Sequence, residues 1–333
     1  MRTETDGATD QGTDMLKGVG FAVGVLVLLL TFCSIALDHI WVFDVLASLR
    51  LQIVAGCAIL GAVALLFRRW YAMGLLVGGL LVNTALMLPP IMAEPHDRAG
   101  PHTLRMVFYN SAQNTLSLFP LRAFVKQRQP DLLAFTEVQR WDIDNLRASF
   151  PDYRHSVGEP GVFGAVILSK VPIHSFQVHE TGGGPSGRTL EMRLCDRMDT
   201  DRCLALLVLH PTPPLNAAFH ASRDRHLMAA AERASLLNET RTIDGRVIMA
   251  GDFNLTPWNR TYVRALETGG LRDAFAARLP HSTWFSSFAV AGLPIDHIWT
   301  GAGVGVTATE IGPLSGSDHL PIYAELNLDI DLR

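Results

Sequence analysis

The sequence predicts three membrane helices followed by one large α/β domain. Two observations carry this prediction: uncharged apolar runs fill the first part of the chain, and strand and helix patterns alternate after residue 103. A third observation concerns chemistry, because polar side chains follow the predicted strands. The chain has 333 residues, 48% of them hydrophobic, and the apolar excess is concentrated in those early runs.

Three runs without charge predict membrane-spanning helices, because a span needs roughly 20 apolar residues. The second run reaches that length if it begins near Val45 and lets Arg50 snorkel to the interface. A cleaved signal peptide explains only one such run. We therefore expect a three-helix transmembrane region over residues 16–90, built on the runs Val19–Leu37, Leu51–Phe67 and Trp70–Pro90.

The loops predict the orientation of these helices. The basic loop Arg68–Trp70 faces the cytoplasm by the positive-inside rule. The tail 1–15 then lies on the same side, and its polar composition predicts disorder. Everything after Pro90 lies outside. The expected location is the cytoplasmic (inner) membrane, with several spans and a periplasmic or extracellular domain.

Residues 91–102 contain Pro and Gly and predict a linker, so that residues 103–333 form the domain. Residues 101–333 hold 22 Lys and Arg against 24 Asp and Glu, a net charge of −2. This balance lacks the basic surface of a nucleic-acid binder, so nucleic acid is not the favoured partner. The sequence leaves the oligomeric state open.

The domain alternates between apolar strand patterns and amphipathic helix patterns. The segments "GAVILSK" and "IHSFQVHE", separated by "VP", predict a hairpin. Other strands and helices in chain order are "TLRMVFYN", "LRAFVKQRQ", "DLLAFTEV", "WDIDNLRASF", "TLEMRLC", "CLALLVLH", "ASRDRHLMAAAERASLLNETR", "RVIMAG", "LPIDHIWT" and "SGSDHLPIYAELNL".

Cys195 and Cys203 flank a polar turn between two apolar strands. They therefore face one another at the mouth of a hairpin, where a disulfide can form. Such a bond persists in an oxidising compartment, which fits the outer location. Two unrelated thiols are the alternative. Cys33 and Cys57 lie in the membrane runs and are expected to pack there.

Polar side chains stand at the downstream ends of the strands, which is where open α/β sheets place their sites. Each has an ordinary explanation by itself, such as a solvated Glu or an Asp-x-Asn turn that binds its own backbone. Together they predict a catalytic site. The strand-end residues are Asn110, Glu137, His210, Asp252 and Asn254; Asp296 lies between apolar residues, and Asp318 and His319 occupy a turn before the last strand.

The segments "YN", "LLAFTEV", "GDFN", "IDHIW" and "SDHLP" resemble, in this order, the motifs of the endonuclease/exonuclease/phosphatase superfamily. The resemblance covers nearly the whole domain. It implies the fold of DNase I, a four-layered α/β sandwich. It also implies cleavage of phosphoester or phosphoanhydride bonds with Mg²⁺ or Mn²⁺.

The resemblance and the chemistry of the side chains imply roles for these residues. Glu137 offers a charged ligand to a hard cation and Asn110 a neutral oxygen, with Asp318 as a further carboxylate. His319 is expected to act as general base or to bind a phosphoryl oxygen. Asp296 would accept its ring N–H and fix the tautomer.

The remaining residues would handle water and phosphate. Asp252 and Asn254 would orient the attacking water and hold the phosphate, and His210 would protonate the leaving group or bind phosphate. Arg188 follows a Gly-rich loop and could reach a second phosphate, although a plain surface Arg explains it equally well. The segment "HSTW" is similar to a Thr-Trp segment near the cleft of some relatives, and no role is assigned to it.

A membrane bundle followed by such a domain resembles the membrane-tethered VanJ and YafD branch. That resemblance implies a lipid phosphate or diphosphate substrate, such as undecaprenyl diphosphate, and a link to glycopeptide (teicoplanin) resistance. Membrane lipids are then the expected partners. The alternatives are an extracytoplasmic metal-dependent nuclease or phosphodiesterase and, less favoured because the site residues are intact, a non-catalytic binding module.

Overall fold

A computed structural model describes residues 5–98, 100–113, 118–181, 186–278, 281–285 and 291–333. The chain divides into two compact units, Met1–Pro89 and Pro90–Arg333. The division agrees with the composition, because the apolar runs end where the second unit begins.

The first unit is helical throughout its main elements. Two helices are long and apolar enough to cross a membrane, over Gly18–Ala36 and Trp70–Met92. A third span exists only if the second and third helices, bent by 66° at their junction, count as one. The helices are α1 (Thr5–Ala36), α2 (Trp41–Ser48), α3 (Arg50–Leu66) and α4 (Trp70–Met92).

The N-terminal tail differs from the expectation of disorder over 1–15. Residues 1–4 lie outside the described residues, and from Thr5 onward the tail belongs to α1. Extending an existing helix requires no new nucleation step, so the apolar run can carry its polar N-terminal neighbours into helical geometry.

Arg50 does not snorkel as predicted. Its side chain is buried within the first unit, and its Nη1 donates to Asn83 Oδ1 over 3.1 Å. Asn83, fully buried on α4, in turn donates to Thr31 Oγ1 over 2.9 Å. The break between α2 and α3 makes Arg50 the first residue of α3, where Asn83 of α4 accepts a hydrogen bond from its guanidinium.

The second unit contains two six-stranded sheets. The first has the order β11-β12-β1-β2-β4-β3 and the second β5-β6-β7-β8-β10-β9. Within each sheet one pair is parallel, β1 with β2 and β7 with β8, and the other pairs are antiparallel. The strands are β1 (His102–Asn110), β2 (Leu132–Thr136), β3 (His155–Glu159), β4 (Ala165–Ser169), β5 (Ser175–Glu180), β6 (Arg188–Cys195), β7 (Cys203–Leu209), β8 (Val247–Asp252), β9 (Leu271–Asp273), β10 (Asp296–Gly301), β11 (Gly305–Ile311) and β12 (Ile322–Leu328).

Four layers result, as the sequence predicts. Alternate residues of β1 show why: Met106 and Phe108 join the core between the two sheets, while Val107 and Tyr109 join the core under the first pair of helices. A third core lies between the second sheet and its helices. The outer helices are α5 (Phe119–Arg128) and α6 (Ile143–Ser149) on the first sheet, and α7 (Ala217–Asn238) and α8 (Arg260–Gly269) on the second.

The predicted hairpin of "GAVILSK" and "IHSFQVHE" is wrong. β4 pairs with β2 and β3 in the first sheet, whereas β5 pairs with β6 in the second. The chain passes from one sheet to the other at Val171–His174, and the negative φ to which its ring holds Pro172 does not fit the positive φ that a type I′ hairpin turn requires. The spacing of apolar residues along the sequence identifies strands, but it does not identify the strands with which they pair.

The segment predicted to be a linker, 91–102, belongs to the second unit and contacts the edge strand β11. The Val306 N–H donates to the His96 carbonyl over 3.0 Å, and Arg98 pairs with Asp329 at 3.4 Å. β11 is the outermost strand of the first sheet, so this segment covers polar backbone groups that an edge strand would otherwise expose.

The disulfide prediction is confirmed. Cys195 and Cys203 lie directly opposite one another on β6 and β7 and form a disulfide across a separation of eight residues. The bond lies at the end of the second sheet where β7 begins, opposite the end where His210 follows β7.

Candidate active site

One end of the two sheets collects the polar side chains. Asn110 is the last residue of β1 and Asp252 the last of β8, while Glu137 and His210 immediately follow β2 and β7. Asp296 begins β10, which runs antiparallel to β8, and it pairs with Asp252 in the register. Strand direction therefore explains why these five residues meet.

Asn110 connects two carboxylates across the two sheets. Its Nδ2 donates to Glu137 Oε1 and to Asp252 Oδ2, each over 3.0 Å. Its Oδ1 accepts the backbone N–H of Ala112 over 2.9 Å. Asn110 is fully buried, and all three hydrogen bonds belong to this orientation of the amide. The amide thus bridges the carboxylates with its nitrogen and has its oxygen bound to the backbone.

The two carboxylate oxygens of Asp252 make different contacts. Oδ1 accepts the backbone N–H of Asn254 over 2.9 Å, which is the ordinary Asp-x-Asn turn. Oδ2 faces inward, 3.5 Å from His210 Nε2 and 3.6 Å from His319 Nε2. One buried carboxylate therefore both shapes the loop after β8 and forms the centre of the cluster.

His319 and Asp296 form a buried dyad. His319 Nδ1 lies 2.9 Å from Asp296 Oδ2, and a carboxylate can only accept, so Nδ1 carries the proton. The Asp296 backbone N–H donates to Thr283 Oγ1 over 3.1 Å, which anchors this strand end. The role of Asp296 in fixing the tautomer of His319 during catalysis stays a prediction, and the structure places the two side chains within hydrogen-bond distance.

His210 has a fixed tautomer for a similar reason. Its Nδ1 lies 2.8 Å from the carbonyl of Val162, which only accepts, so Nδ1 donates. Nε2 then faces Asp252 at 3.5 Å and Glu137 at 3.7 Å. A neutral ring would present a lone pair to two carboxylates, which favours the protonated ring.

The electrostatics of the cluster follow from these contacts. Burial opposes charge on His319, but Asp296 and Asp252 outweigh it and raise the pKa of His319 to about 10. Burial likewise opposes charge on His210, yet the hydrogen bond and charge of Asp252 raise its pKa. Burial would raise the pKa of Asp252, but attraction to His319 and His210 lowers it. These contacts favour an ionised Asp252 between two imidazolium rings.

The oxygen-rich donor set fits a hard divalent cation. Glu137 and Asp252 both bring a carboxylate to the Asn110 amide nitrogen, and such cations prefer oxygen ligands. Ligand atoms of Asp252, Asp296 and His319 also lie within 4.8 Å of one another. His319 uses Nδ1 to bind Asp296, so this second group is better described as a hydrogen-bonded dyad beside Asp252.

Three predicted site residues lie apart from the centre of the cluster. Asp318 is exposed, and its Oδ2 accepts from Trp284 Nε1 over 3.0 Å. Asn254 borders the cluster and donates its Nδ2 to the Pro211 carbonyl over 3.0 Å. Arg188 pairs through its terminal nitrogens with Glu159 at 2.9 Å and Glu180 at 3.3 Å. The structure therefore shows no free guanidinium of Arg188 directed at a second phosphate.

Some supporting residues carried no clear signal in the sequence. Thr283 accepts from the backbone at Ile295 and Asp296, and Trp284 holds Asp318, so the "HSTW" segment organises the dyad. Arg223, fully buried on α7, donates to the carbonyl of Asn254 over 3.2 Å. These contacts join distant parts of the chain, and only the resemblance of "HSTW" could have drawn attention to one of them.

A comparison with protein families identifies the family to which this chain belongs. The family described as Endonuclease/Exonuclease/phosphatase matches residues 107–319, which include every residue of the cluster. The chain belongs to the endonuclease/exonuclease/phosphatase family. Members of this family are phosphoester hydrolases that generally use divalent metals.

Solved structures of endonuclease/exonuclease/phosphatase proteins share the fold. A family protein from Bacteroides thetaiotaomicron is 17% identical, covers 69% of this chain and 99% of its own, and has a TM-score of 0.57. A mannosyl-6-phosphatase of the same organism is 16% identical, with 67% and 99% coverage and a TM-score of 0.54. TDP2 of D. rerio, solved with a single-strand DNA product, is 17% identical, with 68% and 99% coverage and a TM-score of 0.52. No curated protein sequence matches the chain. The predicted DNase I-like sandwich is confirmed.

Proposed function

We propose that this family member is a membrane-anchored, divalent-metal-dependent hydrolase of a lipid phosphate or diphosphate at the outer face of the cytoplasmic membrane. The observation that carries the chemical part is the buried Asp252, which faces His210 and His319 and is linked through Asn110 to Glu137. Undecaprenyl diphosphate is the proposed substrate, and tolerance of a glycopeptide such as teicoplanin is the proposed consequence.

Glu137, with Asn110 beside it, would hold Mg²⁺ or Mn²⁺. The bound cation would offset charge on the phosphoryl oxygens. Asp318 stays a proposed additional ligand from the solvent side of the dyad. The Asn110 amide would have to turn its oxygen toward the cation, because its nitrogen donates to both carboxylates.

Three side chains, Asp252, His319 and His210, each have a separate part in the proposed proton transfers. Ionised Asp252 accepts a proton from the attacking water through Oδ2, with Asn254 bordering the water position. His319, whose pKa is raised to about 10, is cationic at neutral pH and donates Nε2–H to a phosphoryl oxygen. This charge favours the phosphate-binding role of His319 over that of general base. His210 Nε2 gives its proton to the leaving oxygen as the P–O bond breaks.

Three further features support the proposal of a lipid substrate. Two helices, or three with the bent pair, are apolar enough to span a membrane. The Cys195–Cys203 disulfide favours an oxidising compartment, which supports the outer location. The domain's net charge of −2 over residues 101–333 disfavours nucleic acid, whose nonspecific binding depends on neutralising phosphates.

The test is a substrate panel with the full chain in detergent and Mg²⁺: undecaprenyl diphosphate, undecaprenyl phosphate, sphingomyelin and plasmid DNA. We expect inorganic phosphate from undecaprenyl diphosphate and its loss in the Glu137→Gln variant. Met198→Ser, in the exposed turn beside the disulfide, is the matched control. Plasmid nicking with undecaprenyl diphosphate intact would replace this proposal with the nuclease alternative.

A further inference from the structure

Large apolar side chains are exposed around the candidate site. Among the described residues after residue 102, six such side chains lie on segments that carry or contact the cluster. We name them the apolar rim: Trp141 (76% exposed), Val162 (41%), Leu215 (69%), Phe219 (41%), Phe285 (44%) and Leu314 (53%).

Three members of the apolar rim, Val162, Leu215 and Phe219, lie on segments that contact or follow His210. The Val162 carbonyl accepts from His210 Nδ1 over 2.8 Å. Leu215 and Phe219 follow His210 in the chain, and the Phe219 carbonyl accepts from Thr212 Oγ1 over 2.9 Å. This loop also contacts the loop after β8, because Asn254 donates to the Pro211 carbonyl.

The other three members, Phe285, Leu314 and Trp141, lie on segments next to the His319–Asp296 dyad, next to Asn110 or after Glu137. The ring of Phe285 lies 5.7 Å from that of Trp284, which donates to Asp318. Leu314 immediately precedes Ser315, whose carbonyl accepts from Tyr109 next to Asn110. Trp141 follows Glu137 in the turn that begins α6. Every member is thus tied to the sheet end that holds the cluster.

This distribution suits contact with an apolar environment outside the protein. Large exposed apolar side chains on the segments that border a polar site are typical of an interaction surface. Trp and Phe on loops suit the interface of a bilayer, where their rings lie among the head groups. The same chain carries helices apolar enough to span a membrane, so a bilayer is the apolar surface available to it.

We infer that the apolar rim inserts into the head-group region of a bilayer, so that a lipid phosphate reaches Asp252, His210 and His319 without leaving the membrane surface. The inference rests on the proposed function and deepens it by naming how the lipid is presented. A protein partner or a second copy of the chain is the competing occupant of this surface.

The experiment places an environment-sensitive fluorophore on Leu215→Cys in the full chain, in nanodiscs of phosphatidylethanolamine and phosphatidylglycerol. Cys33→Ala and Cys57→Ala remove the free thiols, and the disulfide stays unlabelled. Met198→Cys is the matched control, because Met198 is apolar, 89% exposed and located in the turn at the opposite end of the second sheet. Lipid-borne spin labels and aqueous iodide serve as quenchers.

We expect the lipid-borne quencher to act on the Leu215→Cys label and iodide to act on the Met198→Cys label. Iodide access to both labels would overturn the inference. Protection of the Leu215→Cys label from both quenchers would also overturn it and indicate a protein occupant.

A kinetic readout separates this inference from the proposed function. Leu215→Ser should lower the ratio of turnover on undecaprenyl diphosphate in nanodiscs to turnover on soluble p-nitrophenyl phosphate, by roughly tenfold for one lost apolar anchor. An unchanged ratio would contradict insertion. Lipid quenching without any phosphatase activity would instead retain the surface and refute the proposed function.

Discussion

Asp252→Asn isolates the charge at the centre of the cluster. The substitution keeps the side chain's size, and its new Oδ1 can still accept the Asn254 N–H that closes the loop. It removes the negative charge that Oδ2 holds 3.6 Å from His319 Nε2 and 3.5 Å from His210 Nε2. The fold should survive while the electrostatics change.

The size of that change follows from the distance. Two unit charges 3.6 Å apart attract by on the order of 4 kcal/mol at an effective dielectric constant of about 20. This energy corresponds to about three pKa units. The pKa of His319, raised to about 10 in the native chain, should therefore fall markedly in the variant, with Asp296 still in place.

Histidine NMR of the full chain in detergent, with EDTA present, measures this pKa directly. Asp318→Asn is the control, because it removes an exposed carboxylate beside the same ring and should lower the pKa much less. An unchanged His319 pKa in Asp252→Asn would refute the electrostatic account. We also expect turnover to fall about 10²–10⁴-fold, because a positioned proton acceptor is lost.

Four further outcomes are expected. Glu137→Gln should abolish turnover and leave circular dichroism unchanged, since it removes a charged metal ligand that is only half-buried; near-normal turnover would refute the assignment. The folded pKa of His319 exceeds the unfolded value of about 6.5, so its contribution to stability is full below pH 6.5 and is lost toward pH 10. Thermal midpoints should fall over that window in the wild type and fall less in His319→Ala; equal slopes would contradict this. Alkylation should reach Cys195 and Cys203 only after reduction, and labelling of the native protein would count against the disulfide. Arg50→Ala should lower the thermal midpoint because Asn83 loses a buried partner, whereas Arg69→Ala serves as the control; equal midpoints would show that the bond contributes little.

The part of the site that lies at strand ends could be predicted from the sequence. Asn110 and Asp252 end apolar strands, and Glu137 and His210 immediately follow two others. The geometry of layered sheets places such positions together. The "GDFN" segment allowed both a local turn and a catalytic role. The structure shows the local turn at Oδ1 and leaves Oδ2 facing the polar cluster, so the catalytic role stays a prediction.

Contacts between distant segments could not be predicted. Both charged partners of Arg188, Glu159 and Glu180, lie on other strands, and no local pattern connects them with it. The prediction that β4 and β5 form a hairpin was wrong for the same reason, because the two strands belong to different sheets. Arg50 was expected to reach the interface, because the sequence does not show that Asn83 supplies a buried acceptor.

The central claim is that the site hydrolyses a lipid diphosphate with the help of a divalent cation. The most direct measurement is release of inorganic phosphate from undecaprenyl diphosphate by the full chain in nanodiscs, with Mg²⁺ and then with EDTA, for the wild type and Asp252→Asn. Phosphate release is expected only from the wild type with Mg²⁺. Phosphate release that is equal in Asp252→Asn, or that persists in EDTA, would contradict this claim.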